Sequence, residues 1–267
     1  MWIKTTHLSD FDNLELKEAT FQNQVFPMHF HDSLSIGLIR EGIEKITLGN
    51  STLLAKTNSI VIFNPYEVHS NSFFDADKWT YCSLYLNPEV LRFFAGRANF
   101  SWKDSLQFQN LIEDPVFFKM ILNFHFGTEL DRGKALQEII KTLVFRYQKE
   151  PENKSMAYRD DIEIVNEVVK RFNLKFSDKI NIDSISKEFK LSTSRFIRAF
   201  KAHTGLTPIS YIILLRLNHS KTLILKNLPL VQVSLECGFF DQSHFIHYFQ
   251  KFFGISPLHF KRNHQTR

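Results

Sequence analysis

An internal repeat constrains the fold of this chain more than any other feature of its 267 residues. Residues 191–211 match residues 240–260 at an offset of 49, with six identical positions in the 21-residue window. The identical pairs are Ser194 and Ser243, Phe196 and Phe245, Ile197 and Ile246, Phe200 and Phe249, Gly205 and Gly254, and Pro208 and Pro257. Unrelated segments share far fewer positions, so we expect a duplicated structural unit.

Each copy predicts a capped helix, a sharp stop and the start of another helix. Ser192 and Asp241 precede the repeated helix, where their side chains can accept hydrogen bonds from otherwise unpaired backbone N–H groups. The repeated phenylalanines are four residues apart and therefore share one buried face. A glycine then favours a positive φ, and the following Thr-Pro or Ser-Pro pair begins the next helix.

A short helix is predicted just before each repeated helix, over residues 182–189 and residues 231–237. Gly238 marks a tight turn between the two helices of the second copy. A short helix, a turn of three or four residues and a second helix form the helix-turn-helix layout. We therefore predict two such units, whose recognition helices cover about residues 193–203 and 242–253.

The outward faces of these two recognition helices carry hydrogen-bond donors. The candidate DNA-contacting residues are Thr193, Ser194, Arg195, Arg198 and Lys201 in the first helix, and Gln242, Ser243, His244, His247 and Lys251 in the second. Neither helix contains a carboxylate, although exposed helix faces ordinarily mix both signs of charge. Donors of this kind suit phosphate oxygens and the base edges of the major groove. A duplicated helical hairpin with a purely structural role is the alternative.

Positive charge is confined to the C-terminal part of the chain. Residues 161–267 carry a net charge of +8, whereas residues 1–160 carry −3. A basic segment is typical of a polyanion-binding domain, and a basic solubilising surface is the alternative. The apolar helix predicted over residues 208–227 spans roughly 30 Å at a rise of 1.5 Å per residue. One DNA turn is about 34 Å, so this length allows both recognition helices to enter successive major grooves.

The spacing of residues in and around the repeat matches a known family. The matching residues are Phe196, Phe200, Lys201, Gly205, Pro208, Tyr211, Arg216, Val233, Gly238, Phe239, Ser243, Phe245, Phe249, Lys251, Gly254, Ser256 and Pro257. With this pattern, residues 160–261 resemble the DNA-binding domain of the AraC/XylS family of transcription regulators. The resemblance implies a monomeric domain of seven helices that reads two adjacent major-groove segments.

The resemblance implies roles for several individual positions. Ile197 stands where the family often contacts bases, which predicts a contact with a thymine methyl group. Ser186, Ser220 and Ser234 stand where the family usually has alanine, which predicts lower stability with function unchanged. Gln250 stands where lysine is common in the family.

The N-terminal part of the chain predicts strands. Apolar or alternating runs cover residues 35–39, 44–48, 59–63 and 79–86, with glycine, asparagine and proline between them. Many short strands at close spacing favour a small β barrel or sandwich.

Three short segments within this part resemble the cupin-type sensor domain of the same family. They are residues 26–31, 40–42 and 64–69. The resemblance implies a barrel whose interior receives the side chains of His29, His31 and His69, since residues i and i+2 of a strand share a face.

The role of these histidines stays open at the level of the sequence. Three imidazoles can bind a transition metal. Metal-binding cupins also carry a glutamate four or five residues after the second histidine, but Ser35 and Ile36 stand there. We therefore expect no metal or other cofactor, and favour hydrogen bonds to an organic effector over a structural role. The candidate effector-binding residues are His29, His31, His69, Tyr66, Trp79 and Tyr81.

Helices are predicted between the sensor and the DNA-binding region, the first of them over residues 116–126. The resemblance implies that this segment contributes to a homodimer. The apolar stripe of Leu136, Ile140 and Leu143 can instead pack on the barrel, and both alternatives stay open. Residues 149–155 are polar and include a proline, and they form the expected linker.

The predicted fold is a two-domain α+β chain, with an N-terminal cupin-like β-barrel, linker helices and a C-terminal all-α domain. The expected boundaries are residues 1–100 for the effector-sensing domain, residues 101–155 for the helical linker or dimerisation segment, and residues 160–267 for the DNA-binding domain. Cys82 and Cys237 are expected to be buried free thiols.

The expected function is a sequence-specific transcription regulator in the cytoplasm, which responds to an effector and activates transcription. Its expected partners are double-stranded promoter DNA, RNA polymerase and a small-molecule effector, with a homodimer left open. A signal peptide and a membrane-spanning segment are not expected. A regulator controlled by a protein partner or by abundance is the alternative, and a metal-dependent cupin enzyme is a remote one.

Overall fold

A computed structural model shows how these elements are arranged. It describes residues 2–11, 14–22, 24–74, 78–97, 106–127, 132–149 and 159–265. The chain divides into a first unit of residues 1–25 and 30–152 and a second unit of residues 26–29 and 153–267. Residues 26–29 form part of a strand that pairs within a sheet of the first unit, and they are described with that sheet. Most of the predicted linker, residues 150–155, lies outside the described residues.

Ten described strands form the first unit. They are β1 (Trp2–Leu8), β2 (Leu14–Phe21), β3 (Val25–His29), β4 (Leu34–Glu41), β5 (Glu44–Leu48), β6 (Ser51–Ala55), β7 (Ile60–Phe63), β8 (His69–Phe73), β9 (Trp79–Leu86) and β10 (Leu111–Ile112). One sheet has the order β1-β2-β9-β4-β7-β10 with antiparallel neighbours, and the other has the order β3-β8-β5-β6. The four runs predicted from the sequence coincide with β4, β5, β7 and β9.

The described strands of the predicted cupin-like β-barrel form two sheets, which do not close into one continuous barrel. Each sheet ends in edge strands, β1 and β10 in the larger and β3 and β6 in the smaller. A barrel and a sandwich both bury one face of each strand, so both produce the same alternation of apolar and polar residues. The alternation therefore identifies the strands correctly but does not determine whether the sheet closes.

Three helices complete the core of the first unit. They are α1 (Pro88–Arg97), α2 (Pro115–Phe126) and α3 (Arg132–Arg146). Leu136, Ile140 and Leu143 of α3 are fully buried, in the same apolar cluster as strand residues such as Ile36 and Leu84. The apolar stripe of α3 thus packs into the core of its own unit and is not available as a dimer surface.

The second unit consists of helices throughout residues 159–265, and seven are described. They are α4 (Arg159–Leu174), α5 (Ile182–Glu188), α6 (Thr193–Thr204), α7 (Pro208–Leu225), α8 (Leu230–Glu236), α9 (Gln242–Phe253) and α10 (Pro257–Gln265). Ten residues of α7 are buried, because this central helix is covered on several sides. The number of helices agrees with the family resemblance.

The three serines that replace the family's alanines are buried and hydrogen-bonded. Each hydroxyl donates to the backbone carbonyl three residues earlier, at 3.0 Å for Ser186, 2.7 Å for Ser220 and 2.7 Å for Ser234. Burial of a hydroxyl is costly only when it lacks a partner. The helices therefore accommodate these hydroxyls within their own backbone.

Cys82 and Cys237 are buried free thiols, as predicted. Burial raises the pKa of each thiol to about 12, so both stay protonated at neutral pH. None of the helices in the described part of the chain is long and apolar enough to cross a membrane.

Candidate DNA-binding surface and effector site

The first helix-turn-helix unit consists of α5, a four-residue turn and α6. Ser192 Oγ accepts a hydrogen bond from the Arg195 backbone N–H at 3.3 Å, and this cap begins α6. Lys190 lies in the turn with a φ of 55°. Phe196 and Phe200 are fully buried, so their shared face points into the domain and the opposite face of α6 points outward.

The second unit repeats this construction with α8, a five-residue turn and α9. Asp241 Oδ1 accepts a hydrogen bond from the His244 backbone N–H at 2.7 Å and begins α9. Gly238 lies in the turn with a φ of 78°. Phe245 and Phe249 are fully buried. The sequence repeat is thus a repeat of helix-turn-helix structure, as predicted.

The candidate DNA-contacting residues of α6 divide into two groups. Ser194, Arg198 and Lys201 are exposed. Arg195 is also exposed, but its Nη2 lies 3.1 Å from Asp161 Oδ1 of α4. Thr193 Oγ1 donates to Asp183 Oδ1 of α5 at 2.7 Å, and Ile197 is half-buried. Thr193 and Arg195 therefore already join α6 to its neighbours, while the first group faces solvent.

The outward face of α9 is formed by exposed polar residues around an aromatic ring. The exposed residues are Ser243, His244, His247 and Lys251, and Gln242 is half-buried. The ring of Tyr248 meets the rings of His244 and His247 edge-on, at centroid distances of 4.8 Å and 5.5 Å. Lys251 Nζ lies 5.9 Å from the centroid of the same ring.

Tyr248 is not among the residues predicted from the sequence, because most aromatic residues in this phenylalanine-rich chain are expected in the core. Its spacing contained a usable signal. It lies four residues after His244 and three before Lys251, so all three share one side of the helix. Tyr248 thus lies between the polar side chains of this face and contacts His244, His247 and Lys251.

The three predicted histidines, on and beside strands β3 and β8, converge. Nitrogen atoms of His29, His31 and His69 all lie within 4.8 Å of one another. His29 and His69 are buried and His31 is half-buried. The ring of His69 stacks on Phe63 with centroids 3.6 Å apart, and the ring of His31 meets Tyr85 edge-on at 5.3 Å. Aromatic neighbours therefore fix the orientation of two of these rings.

The other candidate effector-binding residues lie in separate aromatic groups. Tyr66 is 47 % exposed, has a φ of 62° and packs on Phe30 with ring centroids 5.7 Å apart. Trp79 is buried and stacks with Tyr81 at 5.6 Å, and both rings contact Phe21. The structure brings the predicted histidines together and places Trp79 with Tyr81 in a second group.

Glu44 is a buried carboxyl group outside the set of residues predicted from the sequence. Its Oε1 accepts a hydrogen bond from Asn71 Nδ2 at 2.7 Å, and only 5 % of the residue is exposed. Burial raises the pKa of Glu44 to about 7. Burial, and then the charge of Glu44, also raise the pKa of Tyr81. Glu44 lies two residues before buried Ile46 in β5, a spacing that places it on the inward face.

The stability of the protein is expected to depend on Glu44 between pH 4.5 and about 7. Because folding raises the pKa of this carboxyl group, the unfolded chain ionises first and the free energy of unfolding falls as the pH rises through this window. In the Glu44→Gln variant, the free energy of unfolding should fall less as the pH rises from 4.5 to about 7. Denaturant unfolding at several pH values measures it, with Glu89→Gln on the exposed surface of α1 as the control. Equal pH slopes for wild type and Glu44→Gln would contradict the prediction.

A hydrogen-bonded chain leads from the histidine cluster to the start of the linker. His69 Nδ1 bonds the backbone oxygen of Glu67 at 2.8 Å. The Glu67 carboxylate accepts from Asn64 Nδ2 at 2.9 Å and from Asn110 Nδ2 at 2.6 Å. Lys149 Nζ donates to Asn110 Oδ1 at 2.6 Å. Lys149 is the first residue of the predicted linker and the last residue described before residue 159, so a polar network joins the cluster to the start of this segment.

Family models match both units of the chain. A model described as an AraC-like ligand binding domain matches residues 13–129, and a model described as a helix-turn-helix domain matches residues 185–263. A strand-rich ligand-binding domain joined to two helix-turn-helix units defines a DNA-binding transcription regulator. The chain belongs to the AraC/XylS family.

Curated relatives agree with this assignment. The HTH-type transcriptional regulator YbfI of Bacillus subtilis is 22 % identical over 83 % of this chain and 82 % of its own length. The Msm operon regulatory protein of Streptococcus mutans is 24 % identical over 96 % of both chains. The transcriptional activator RhaS of Escherichia coli is 35 % identical over 31 % of this chain and 30 % of its own length.

Solved structures share the fold across nearly the whole chain. ToxT from Vibrio cholerae has a TM-score of 0.62 and 10 % identity, covering 95 % of this chain and 99 % of ToxT. A form of ToxT described as bound to an unsaturated fatty acid has a TM-score of 0.60 and 13 % identity, covering 94 % of this chain and 96 % of that protein. The two-domain architecture is therefore shared with a solved protein.

Proposed function

We propose that α6 and α9 are the recognition helices and read two adjacent major-groove segments of promoter DNA. The observation that carries this proposal is the pair of equivalent capped helices, whose outward faces offer hydrogen-bond donors and contain no carboxylate. The residues proposed to touch DNA directly are Ser194, Arg198, Lys201, Ser243, His244, His247 and Lys251. Donors on two helices of one domain suit base edges and phosphates of neighbouring grooves.

The remaining candidate residues have supporting roles in this proposal. Arg195 and Thr193 hold α6 against α4 and α5 through their carboxylate partners, and either can add a phosphate contact. Half-buried Ile197 lies at the edge of the donor face, where an apolar side chain fits a thymine methyl group. Gln242 occupies the first position of α9 and is proposed to contact a base or a phosphate.

The first unit is proposed to sense an effector at the cluster of His29, His31 and His69. An effector that binds one conformation better than another shifts the population toward that conformation. The polar network from His69 to Lys149 offers a physical route from this cluster to the linker. The ToxT structure described as bound to an unsaturated fatty acid supports the proposal that a regulator of this fold responds to an effector. The similarity to the transcriptional activator RhaS supports the proposal that this chain activates transcription.

Further partners follow from this role. An activator at a bacterial promoter acts in the cytoplasm and contacts RNA polymerase, and the relatives give no reason to assign catalysis. We assign effector sensing to residues 1–100, the helical segment to residues 101–155 and DNA binding to residues 160–267. A homodimer, where one forms, uses a surface other than the buried stripe of α3.

DNA binding is tested with the full chain. Sequences bound by the purified protein are selected from a random duplex library, and their dissociation constants are measured by fluorescence anisotropy. The salt concentration is raised from about 50 to about 200 mM, which weakens binding through several phosphate contacts by about a thousandfold or more. The preferred duplex is expected to bind at least about a thousandfold more tightly than random DNA. A flat salt dependence together with equal affinity for random DNA would refute the proposed function.

A further inference from the structure

Backbone hydrogen bonds determine the tautomer of two rings in the histidine cluster. His29 Nδ1 lies 2.7 Å from the backbone oxygen of Pro27, and His69 Nδ1 lies 2.8 Å from the backbone oxygen of Glu67. A carbonyl oxygen only accepts hydrogen bonds, so both Nδ1 atoms carry the proton and both neutral rings have their lone pair on Nε2. The two histidines thus repeat one geometry, each bonded to the carbonyl two residues before it.

This arrangement is the one that metal-binding histidines use. A ligating imidazole usually donates its other N–H to a backbone carbonyl or carboxylate, which fixes the tautomer and the direction of the lone pair. His31 supplies a third ring, 5.2 Å from the ring of His69 by centroids. The candidate ligand nitrogens lie within 4.8 Å of one another. Ligands about 2.0–2.1 Å from a tetrahedral ion are about 3.4 Å apart, so small side-chain rotations suffice.

We propose that His29, His31 and His69 bind one divalent transition-metal ion of the zinc, cobalt and nickel type. Imidazole nitrogen suits these ions. Three protein ligands leave a fourth position for water or for an oxygen or nitrogen atom of a small molecule. Within the described part of the chain, the group consists of these three histidines, and Ser35 and Ile36 stand where metal-binding cupins carry glutamate.

A metal ion at this cluster also indicates the chemical class of the effector, and this part of the inference rests on the proposed function. An ion on His69 constrains the backbone of Glu67, whose carboxylate is bonded to Asn110 and through it to Lys149. The ligand class is therefore the metal ion itself, with or without a metal-coordinating small molecule in the fourth position.

Direct metal binding tests the site without reference to transcription. Full-length protein is stripped with a chelator and titrated with Co²⁺, whose visible absorption reports its coordination geometry. Zn²⁺ competition and elemental analysis then give the stoichiometry. We expect one ion per chain and a higher thermal midpoint with Zn²⁺, since a ligand of the native state stabilises it.

Variants identify the ligands. The His31→Gln and His69→Gln proteins should bind Co²⁺ at least about tenfold more weakly, whereas His259→Gln, an exposed histidine of α10, should bind like wild type. His31 is half-buried, so His31→Gln gives a readout even where His69→Gln lowers folding yield. Substoichiometric binding in the wild type, or unchanged binding in His31→Gln, would overturn the assignment.

The DNA-binding assay run with stripped and metal-loaded protein separates the two proposals. A chain that binds its preferred duplex but takes up no metal leaves the proposed function intact and refutes the metal site. A chain that takes up one metal ion and shows equal DNA affinity in both forms keeps the site and refutes its role in regulation. Altered DNA affinity on loading, lost in His31→Gln, supports both.

Discussion

Replacing Gly238 by alanine is expected to destabilise the second helix-turn-helix unit by about 3 kcal/mol or more. Gly238 has a φ of 78°, a conformation that strains any residue with a Cβ atom. A Cβ atom at this position would lie only 2.3 Å from the backbone oxygen of Ser177, a clash that no side-chain rotation relieves. Chemical denaturation monitored by circular dichroism of the full chain measures the loss, together with weaker DNA binding.

Two other positions separate the strain of a positive φ from the steric clash. Gly49 has a φ of 56°, and a Cβ atom there would have no described neighbour within 4 Å, so Gly49→Ala should cost only about 1 kcal/mol. Lys190 occupies the corresponding turn of the first unit with a φ of 55°, and Lys190→Gly should stabilise by about 0.5–1 kcal/mol. Equal losses for Gly238→Ala and Gly49→Ala would show that the Ser177 contact has no energetic role.

Replacing Arg198 by alanine is expected to weaken binding to the preferred duplex about tenfold to a hundredfold. Arg198 is exposed on the outward face of α6, and a guanidinium that pairs with a guanine edge contributes about 1–3 kcal/mol of discrimination. Binding to random DNA should change much less. Anisotropy titrations with the preferred duplex and its single-base variants measure both effects, and His247→Ala tests the equivalent position of α9.

Arg195→Ala is the matched control for Arg198→Ala. The two arginines are three residues apart on one helix, but Arg195 is paired with Asp161. Its loss should therefore weaken binding less and equally across sequences, as expected for a positioning or phosphate contact. A uniform loss for Arg198→Ala would move Arg198 into that same group, and discrimination lost only in Arg195→Ala would reverse the assignment.

Local rules predicted the second unit almost to the residue. Caps at Ser192 and Asp241, the paired phenylalanines and the glycines after each helix all act within a few residues of the chain, so their effects are readable from spacing alone. The structure begins α6 at Thr193 and α9 at Gln242, where the recognition helices were predicted to begin. The two turns differ by one residue in length, because α5 ends at Glu188 and α8 ends at Glu236.

Long-range contacts decided what local rules could not. Alternation identified the strands, but whether they close into a barrel depends on pairing between distant segments, and the structure has two sheets. The stripe of α3 had two possible partners, and burial against Ile36 and Leu84 selected one of them. The sequence predicted an outward-facing Arg195 but could not predict its ion pair with Asp161, because Asp161 lies 34 residues earlier on another helix.

The histidine cluster combines both kinds of information. The sequence by itself placed His29 and His31 two residues apart in a segment predicted to be a strand, whereas β3 ends at His29 and His31 follows directly after it. Only the tertiary structure decided that His69, from another strand, reaches the same point, and that backbone carbonyls two residues earlier orient His29 and His69. The repeat, its caps and its charges determined the DNA-binding unit, since they act locally. The sheet arrangement, the convergence of the histidines and the path from Glu67 to Lys149 arose from contacts between distant residues, which no local pattern encodes.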